Sequence, residues 1–310
     1  MSTNLWENDS LARTITKAAS RQTYYTIALL VDGPRQADAF RAYAYFRWLD
    51  DQLDEGRLGR AERLAFVQRQ ADLIEAGYRG CWPARLAPEE RLAAELIWND
   101  REPASGLQTY MRQMLAVMAF DAERRGRLIS PAELQEYTRW LATAVTEAMH
   151  HFIGHDAAAP RGPERYAAVT AAHLTHMLRD MQADVEAGYI NIPREVLTAR
   201  GLAPHEFDRA PYRAWVRERV EQARAGFQTG RRYLAQVACR RCRLAGYAYI
   251  ARFEGVLDAV EREGYRLRRA YPERQGLSGA GALMRSLLTS LGAPGRAAVA
   301  GPQPQFKLKP

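Results

Sequence analysis

The sequence predicts an all-α fold, a single-domain helical bundle around a central cavity, and three observations carry that expectation. Apolar residues recur with helical spacing along nearly the whole chain, while the strict alternation of a half-buried strand is scarce. Glycine, proline and serine punctuate the chain at intervals suited to helix ends. No internal repeat and no long linker divides the 310 residues into two cores.

Taken in order, the first helix is expected over Leu11–Leu30 and is closed by Asp32-Gly33-Pro34. The second runs over Gln36–Glu55 and stops at Gly56, because glycine accepts the left-handed conformation that ends helices. Helices over Arg60–Ala76, Glu89–Asn99 and Gly106–Arg124 follow. The next, Pro131–Ile153, has its start written in Ser130-Pro131-Ala132-Glu133. There the serine can accept an orphan N–H, the proline ring presets φ, and the glutamate can reach back to the cap. Asp156–Pro163 reads as a loop, and a long helix over Glu164–Ala187 ends at Gly188. Helices over Tyr212–Val237 and Tyr247–Arg269 complete the body. A short helix over Ala282–Leu291 closes the domain, 1–291, before a Gly/Pro-rich segment, 292–310, expected to be disordered.

Composition narrows the classes of function. Hydrophobic residues make up 47% of the chain and charged residues 26%, as in a folded soluble protein. The formal charge of +8 is almost entirely arginine, since lysine occurs only at Lys17, Lys307 and Lys309. These arginines alternate with acids along helical segments, and no basic run lies beside stacking aromatics. No nucleic-acid partner is therefore expected; phosphate-bearing substrates are the more interesting use of the excess charge. The polar, acidic N-terminus does not read as a signal peptide, and no apolar run approaches the roughly 20 residues that span a bilayer. Cys81, Cys239 and Cys242 lack the spacing of a zinc site and read as reduced cysteines. The expected location is cytoplasmic, with any membrane contact peripheral and made by the basic C-terminal region around Leu283–Leu291. Nothing in the pattern sets an oligomeric state.

The sharpest chemical feature is Leu49-Asp50-Asp51-Gln52-Leu53-Asp54-Glu55, which crowds acids onto the end of an apolar, aromatic helix. Asp50 and Asp54 are i, i+4 and so share a face, about 6 Å apart along the axis. Negative charge there is opposed both by its neighbours and by the negative end of the helix dipole. A bound cation would relieve both penalties, and carboxylate oxygens suit magnesium. A solvated acidic helix end explains this segment alone equally well. The second feature is His173-Leu-Thr-His176-Met-Leu-Arg179-Asp180-Met-Gln-Ala-Asp184, where Asp180 and Asp184 are again i, i+4 and the two histidines extend the stripe. Two such pairs on two helices of one domain are better explained by a facing metal site that holds a diphosphate. The metal would be magnesium, with manganese as the alternative.

These residues resemble the squalene/phytoene synthase family of head-to-head prenyl-diphosphate synthases. Tyr43-Ala-Tyr-Phe-Arg47-Trp-Leu-Asp50-Asp51-Gln-Leu-Asp54-Glu55 is similar to the first aspartate-rich motif of that family, and Leu178-Arg179-Asp180-Met-Gln-Ala-Asp184 to the second. Tyr189-Ile-Asn-Ile-Pro193 resembles the turn that follows it. Ser20-Arg-Gln-Thr23-Tyr24-Tyr25 sits where the family has a substrate segment, and Glu133–Val145 resembles its tyrosine-led helix. The resemblance spans about Ser20–Arg269 and implies an isoprenoid-synthase-like bundle. It further implies metal ligation by Asp50, Asp54, Asp180 and Asp184, diphosphate contacts from Arg47 and Arg179, and an active-site hydroxyl at Tyr137. Thr23 and Tyr43 would line the same cavity.

The implied reaction is condensation of two allylic isoprenoid diphosphates, farnesyl or geranylgeranyl, to a squalene- or phytoene-type hydrocarbon. The phytoene type is expected, because the chain is short and carries no C-terminal membrane span. Several positions depart from the family pattern. His173 and His176 replace amides that support diphosphate binding, Thr146 replaces a glycine and would narrow the substrate wall, and Tyr189 replaces an arginine. Phe253 replaces a late tyrosine, and the basic position after it is Arg268 or Arg269. His150 and His151, near a helix C-terminus, read as capping or surface residues, with a metal role the lesser alternative. Two other functions draw on the same residues. One is a transition-metal phosphohydrolase using His173, His176 and the four aspartates. The other is a non-catalytic relative that binds lipids or partners.

Overall fold

The computed structural model describes residues 2–54 and 58–271. The expected stop at Gly56, the helix at Ala282–Leu291 with its membrane contact, and the 292–310 tail lie outside the described residues. Within them there are eleven α-helices and no strand: α1 (Ser2–Ala19), α2 (Arg21–Leu30), α3 (Gln36–Asp54), α4 (Arg60–Tyr78), α5 (Pro88–Asn99), α6 (Gly106–Arg124), α7 (Pro131–Phe152), α8 (Ala167–Ala187), α9 (Arg194–Arg200), α10 (Ala210–Gln236) and α11 (Arg240–Arg262).

Three boundaries differ from the sequence expectation, each for a local reason. The helix expected over Leu11–Leu30 is two helices. Ser20 takes an extended conformation and its side chain accepts the Thr23 N–H at 3.2 Å, capping α2. The last helix begins at Arg240 and ends at Arg262, where Gly264 and Tyr265 enter the left-handed region at φ 61° and 63°. The seven-residue α9 carries too short a pattern to stand out from its loop. The Ser130 capping box is formed as expected, with the serine accepting from Glu133 N–H and Glu133 accepting from Ser130 N–H.

Packing brings the two acidic helices to one cavity. α3 lies against α1, α5 and α6; α6 packs on α7, α7 on α8, and α8 on α10 and α11. The upper half of α3 is anchored by Phe40, Tyr45 and Leu49, all essentially fully buried, each stabilising by about 1.5–3 kcal/mol. The Tyr45 hydroxyl donates to Gln70 at 3.0 Å, which ties α3 to α4. On the other side, α8 approaches α10 along a small-residue seam. A Cβ built on Gly230 would meet the Ala168 Cα at 2.9 Å, so only glycine permits this spacing.

Candidate active site

A cavity of about 620 Å³ opens between α3, α6, α7, α8 and α11, with Ser20 and Thr23 at its rim. All eleven site residues expected from the sequence line it: Thr23, Tyr43, Arg47, Asp50, Asp54, Tyr137, His173, His176, Arg179, Asp180 and Asp184. Its apolar part is limited to residues such as Leu53, Met118, Met177 and Phe253, so the wall is more polar than the deep hydrocarbon chamber expected.

On α3, Arg47 bonds to Asp50 at 3.2 Å and also to Asp51. Burial in the cavity wall and the neighbouring Asp54 carboxylate nevertheless push Asp50 up to about 6. Asp54 is likewise raised, burial being the main cause. On α8, Asp180 is enclosed by cationic and imidazole donors. Arg179 approaches it through both nitrogens, at 2.6 and 2.5 Å, and His176 Nε2 lies 2.8 Å away. Burial alone would raise Asp180, but these bonds outweigh it and hold the carboxyl well below the usual range. Asp184 goes the other way: burial and the Asp180 charge push it up to about 7. Arg47 and Arg179 are thus held against the aspartates rather than pointing free into the cavity.

A second tier of residues was not singled out from the sequence. Asp121 on α6 accepts from the Tyr137 hydroxyl at 2.9 Å and from Arg124 Nε at 2.6 Å. Arg124 also donates to Asn191 at 2.8 Å, and Asn191 donates to Asp184 at 2.8 Å. This chain joins α6, α7 and the turn after α8 beneath the acidic pairs. The signal for it was present as Asp121 and Arg124, an i, i+3 ion pair that follows the apolar Met114–Phe120 stretch. Tyr189 lies with its ring 5.1 Å from the Arg124 guanidinium and half-closes this side. Tyr249 and Arg252 of α11 complete the wall.

The two histidines differ. His176 is engaged with Asp180, as above. His173 is only 6% exposed, neither ring nitrogen has a hydrogen-bond partner, and its ring stands edge-on to Tyr137 at 5.0 Å. Burial, with His176 and Arg124 nearby, pulls it down to about 3, so it is a neutral imidazole at physiological pH. Three sequence expectations are corrected. Thr146 is buried in α7 but does not line the cavity. Arg269 reaches outward to Glu186 at 2.8 Å and Arg268 pairs with Glu263, so neither supplies the basic wall, which Arg252 does. His150 and His151 do lie in the last turn of α7, but His151 is not a surface residue, at 4% exposure, and His150 is half-buried; burial draws both to about 4. His150 accepts or donates at Tyr233 Oη, 2.9 Å away.

The donors fit a hard divalent cation better than a transition metal. The acidic pairs offer only oxygens, and the raised Asp50 and Asp184 mark negative charge short of compensation. Among the described residues, no three donor atoms of His173, His176 and the cavity aspartates come within 4.8 Å of one another. The same spacing means that the aspartates do not form a closed all-protein cage. They suit a cation that completes its shell with substrate oxygens and water, as magnesium does.

The squalene/phytoene synthase family profile matches residues 16–275. The chain is 27% identical over 180 residues to the presqualene diphosphate synthase of Rhodopseudomonas palustris, covering 58% of this chain and 61% of that one. It is 28% identical over 272 residues to the phytoene synthase of Cereibacter sphaeroides, covering 82% and 72%. The chain thus spans about three fifths of the first relative's length. In fold it is similar to the squalene synthase of Alicyclobacillus acidocaldarius, with a TM-score of 0.68 and 20% identity over 86% of this chain and 98% of that one. A dehydrosqualene synthase solved with a ligand gives a TM-score of 0.70 and 16% identity over 92% and 97%.

Proposed function

The chain belongs to the squalene/phytoene synthase family, and from that premise we propose that it condenses two allylic isoprenoid diphosphates head to head. The observation that carries the proposal is the placement of both acidic pairs, Asp50/Asp54 on α3 and Asp180/Asp184 on α8, around one cavity with four arginines, Arg47, Arg124, Arg179 and Arg252. In the reaction one allylic C–O bond breaks and its electron pair leaves with the diphosphate. The resulting cation is captured by the double bond of the second molecule, and a proton is lost as a cyclopropane closes. Magnesium held by Asp50, Asp54, Asp180 and Asp184 would supply Lewis-acid neutralisation of the leaving diphosphate.

The chain's own residues account for the rest. Arg47 and Arg179 already sit against the aspartates, where their charge can follow a departing diphosphate as negative charge builds. The neutral, unpartnered His173 is a hydrogen-bond donor to an anionic oxygen entering the cavity. Asp121, Arg124 and Asn191 hold Tyr137 and Asp184 in place. The apolar residues at the cavity floor include Met118 and Met177, whose flexible side chains adapt to an alkyl chain. The test is incubation with farnesyl and with geranylgeranyl diphosphate plus magnesium, measuring diphosphate release and extracting the product. A cyclopropyl diphosphate or a C30 or C40 hydrocarbon supports the reading and identifies the chain length. Release of diphosphate with only prenyl alcohols formed would overturn it.

A further inference from the structure

Away from the cavity, the C-terminal end of α7 carries a second cluster of ligand-type side chains. His151 is fourteen residues beyond Tyr137, about 21 Å along the helix. Glu102, from the loop between α5 and α6, His151, and His155, from the turn after α7, each place one ligand atom within 4.8 Å of the others. His155 Nε2 and Glu102 Oε1 are 2.6 Å apart. A cation already sits among them: the Arg35 guanidinium lies 2.8 Å from His151 Nε2 and 2.9 Å from Glu102 Oε1.

Arginine can only donate, so His151 Nε2 turns its lone pair toward the cluster and its proton is on Nδ1. That Nδ1, and the Nδ1 of His155, are buried without partners. The cluster is also braced from outside. Asp32 accepts the backbone N–H groups of Gly154 and His155 at 2.9 and 3.1 Å, and is itself bound by Arg241 at 2.5 Å. Two imidazoles and one carboxylate, on a pinned turn and a helix end, are a donor set characteristic of zinc and its neighbours. Around zinc, tetrahedral ligands at about 2.0–2.1 Å stand roughly 3.3 Å from one another, so the 2.6 Å His155–Glu102 pair must open slightly while all three atoms already lie within 4.8 Å.

We infer that Glu102, His151 and His155 form a transition-metal site of the zinc class, separate from the cavity, in which the Arg35 guanidinium and a metal ion are alternative occupants. The Arg35 side chain is 26% exposed and can turn out to solvent when the metal enters. His155 then moves its Nε2 proton to Nδ1 or releases it, and solvent fills the fourth position. A metal there would tie the α5–α6 loop to the end of α7 and would release the contact that Arg35, immediately before α3, makes with both.

The site is tested by titrating the full chain with Co²⁺, a spectroscopic stand-in for zinc, under saturating magnesium so that the cavity carboxylates are occupied. A mixed imidazole–carboxylate site of low coordination number gives an intense visible band, whereas oxygen-only six-coordinate sites give a weak one. The wild type should show the intense band. Arg35→Gln removes the competing charge and should tighten Co²⁺ binding by roughly tenfold. Glu102→Gln, at an exposed position, and His155→Ala, at a half-buried one in a turn, should abolish the band while circular dichroism stays helical. No band from either wild type or Arg35→Gln, or a band that survives both ligand substitutions, would overturn the assignment.

Discussion

The Tyr137 hydroxyl on α7 donates to the Asp121 carboxylate on α6 across 2.9 Å, and Arg124 holds the same carboxylate from its own helix at 2.6 Å. A half-buried acid thus sits between a phenol and a guanidinium in the wall of the cavity that the two acidic pairs also line. Burial raises Asp121 while Arg124 and Tyr137 oppose the rise, so the carboxylate depends on both donors. Tyr137→Phe removes one of them. It should cost about 1.5–3 kcal/mol in urea unfolding, the usual worth of a hydrogen bond to a charged group. An unchanged midpoint would show that Asp121 finds another donor.

The two acidic pairs should respond differently to neutralisation. Asp50→Asn and Asp180→Asn are both expected to remove nearly all diphosphate release while the helical circular dichroism persists. Their effects on stability without metal should have opposite signs. Asp50 is raised by burial and by Asp54, so Asp50→Asn relieves repulsion and should raise the melting temperature. Asp180 is the partner of Arg179, which is 8% exposed, so Asp180→Asn leaves a buried guanidinium unpaired and should lower it. Near wild-type turnover in either variant at saturating magnesium would remove that residue from the ligand set.

Metal binding should be linked to pH through Asp50 and Asp184, raised to about 6 and about 7. A carboxyl raised above its unfolded value favours the folded state while protonated. That advantage is lost as pH climbs through the folded value. His150, His151 and His173 are depressed and act in the opposite direction as pH rises from about 4 to 6.5. The bare melting temperature therefore mixes both sets, and the magnesium-induced increment isolates the carboxylates. That increment should grow between pH 5.5 and 8, with proton release on titration near pH 6–7. A constant increment across this range would mean that neither carboxyl meets the cation.

His173 is the clearest place where this chain's chemistry differs from an amide-lined cavity. Its neutral ring, unpartnered and aimed into the cavity, should donate to a diphosphate oxygen. His173→Ala should weaken inorganic diphosphate binding by roughly 1.5–3 kcal/mol. His173→Asn, which restores a donor, should recover most of it. His176 is bound to Asp180, so His176→Asn, which keeps an N–H donor at that position, should retain condensation. Loss of all activity in His176→Asn together with loss of transition-metal binding would instead favour a hydrolytic metal centre.

The seam between α8 and α10 sets the position of the second acidic pair. Gly230→Ala places a methyl group 2.6 Å from the Ala168 Cβ, and the helix must move away. Overpacking of this kind costs about 1–3 kcal/mol. Calorimetry should show the loss, and turnover should fall more than the melting temperature alone explains, because α8 carries Asp180 and Asp184. Unchanged turnover would show that the displacement is absorbed by α10.

The all-α class, most helix spans, the two acidic pairs and the His173/His176 stripe were legible because they rest on local spacing, whereas Thr23, Tyr43, Arg47, Tyr137 and Arg179 followed from the family resemblance. An i, i+4 pair of acids shares a helix face whatever the rest of the chain does, and a Ser-Pro-x-Glu start caps a helix from within four residues. Asp121, Arg124 and Asn191 were not singled out because their meaning is a contact: Arg124 and Asn191 are 67 residues apart along the chain. The same is true of the Glu102, His151 and His155 cluster, which joins the α5–α6 loop to the end of α7 and the turn after it.

By itself, then, the sequence determined that helices carry two acidic pairs with arginine beside each, since side-chain periodicity is a property of the helix. Only the tertiary structure decided how those charges are held. Asp180 is depressed by Arg179 and His176 while Asp184, one turn on, is raised to about 7, and His173 is buried neutral while His176 is engaged. Burial and partner distance set each of these outcomes, and both depend on how α3, α6, α7 and α8 pack, which no local pattern encodes.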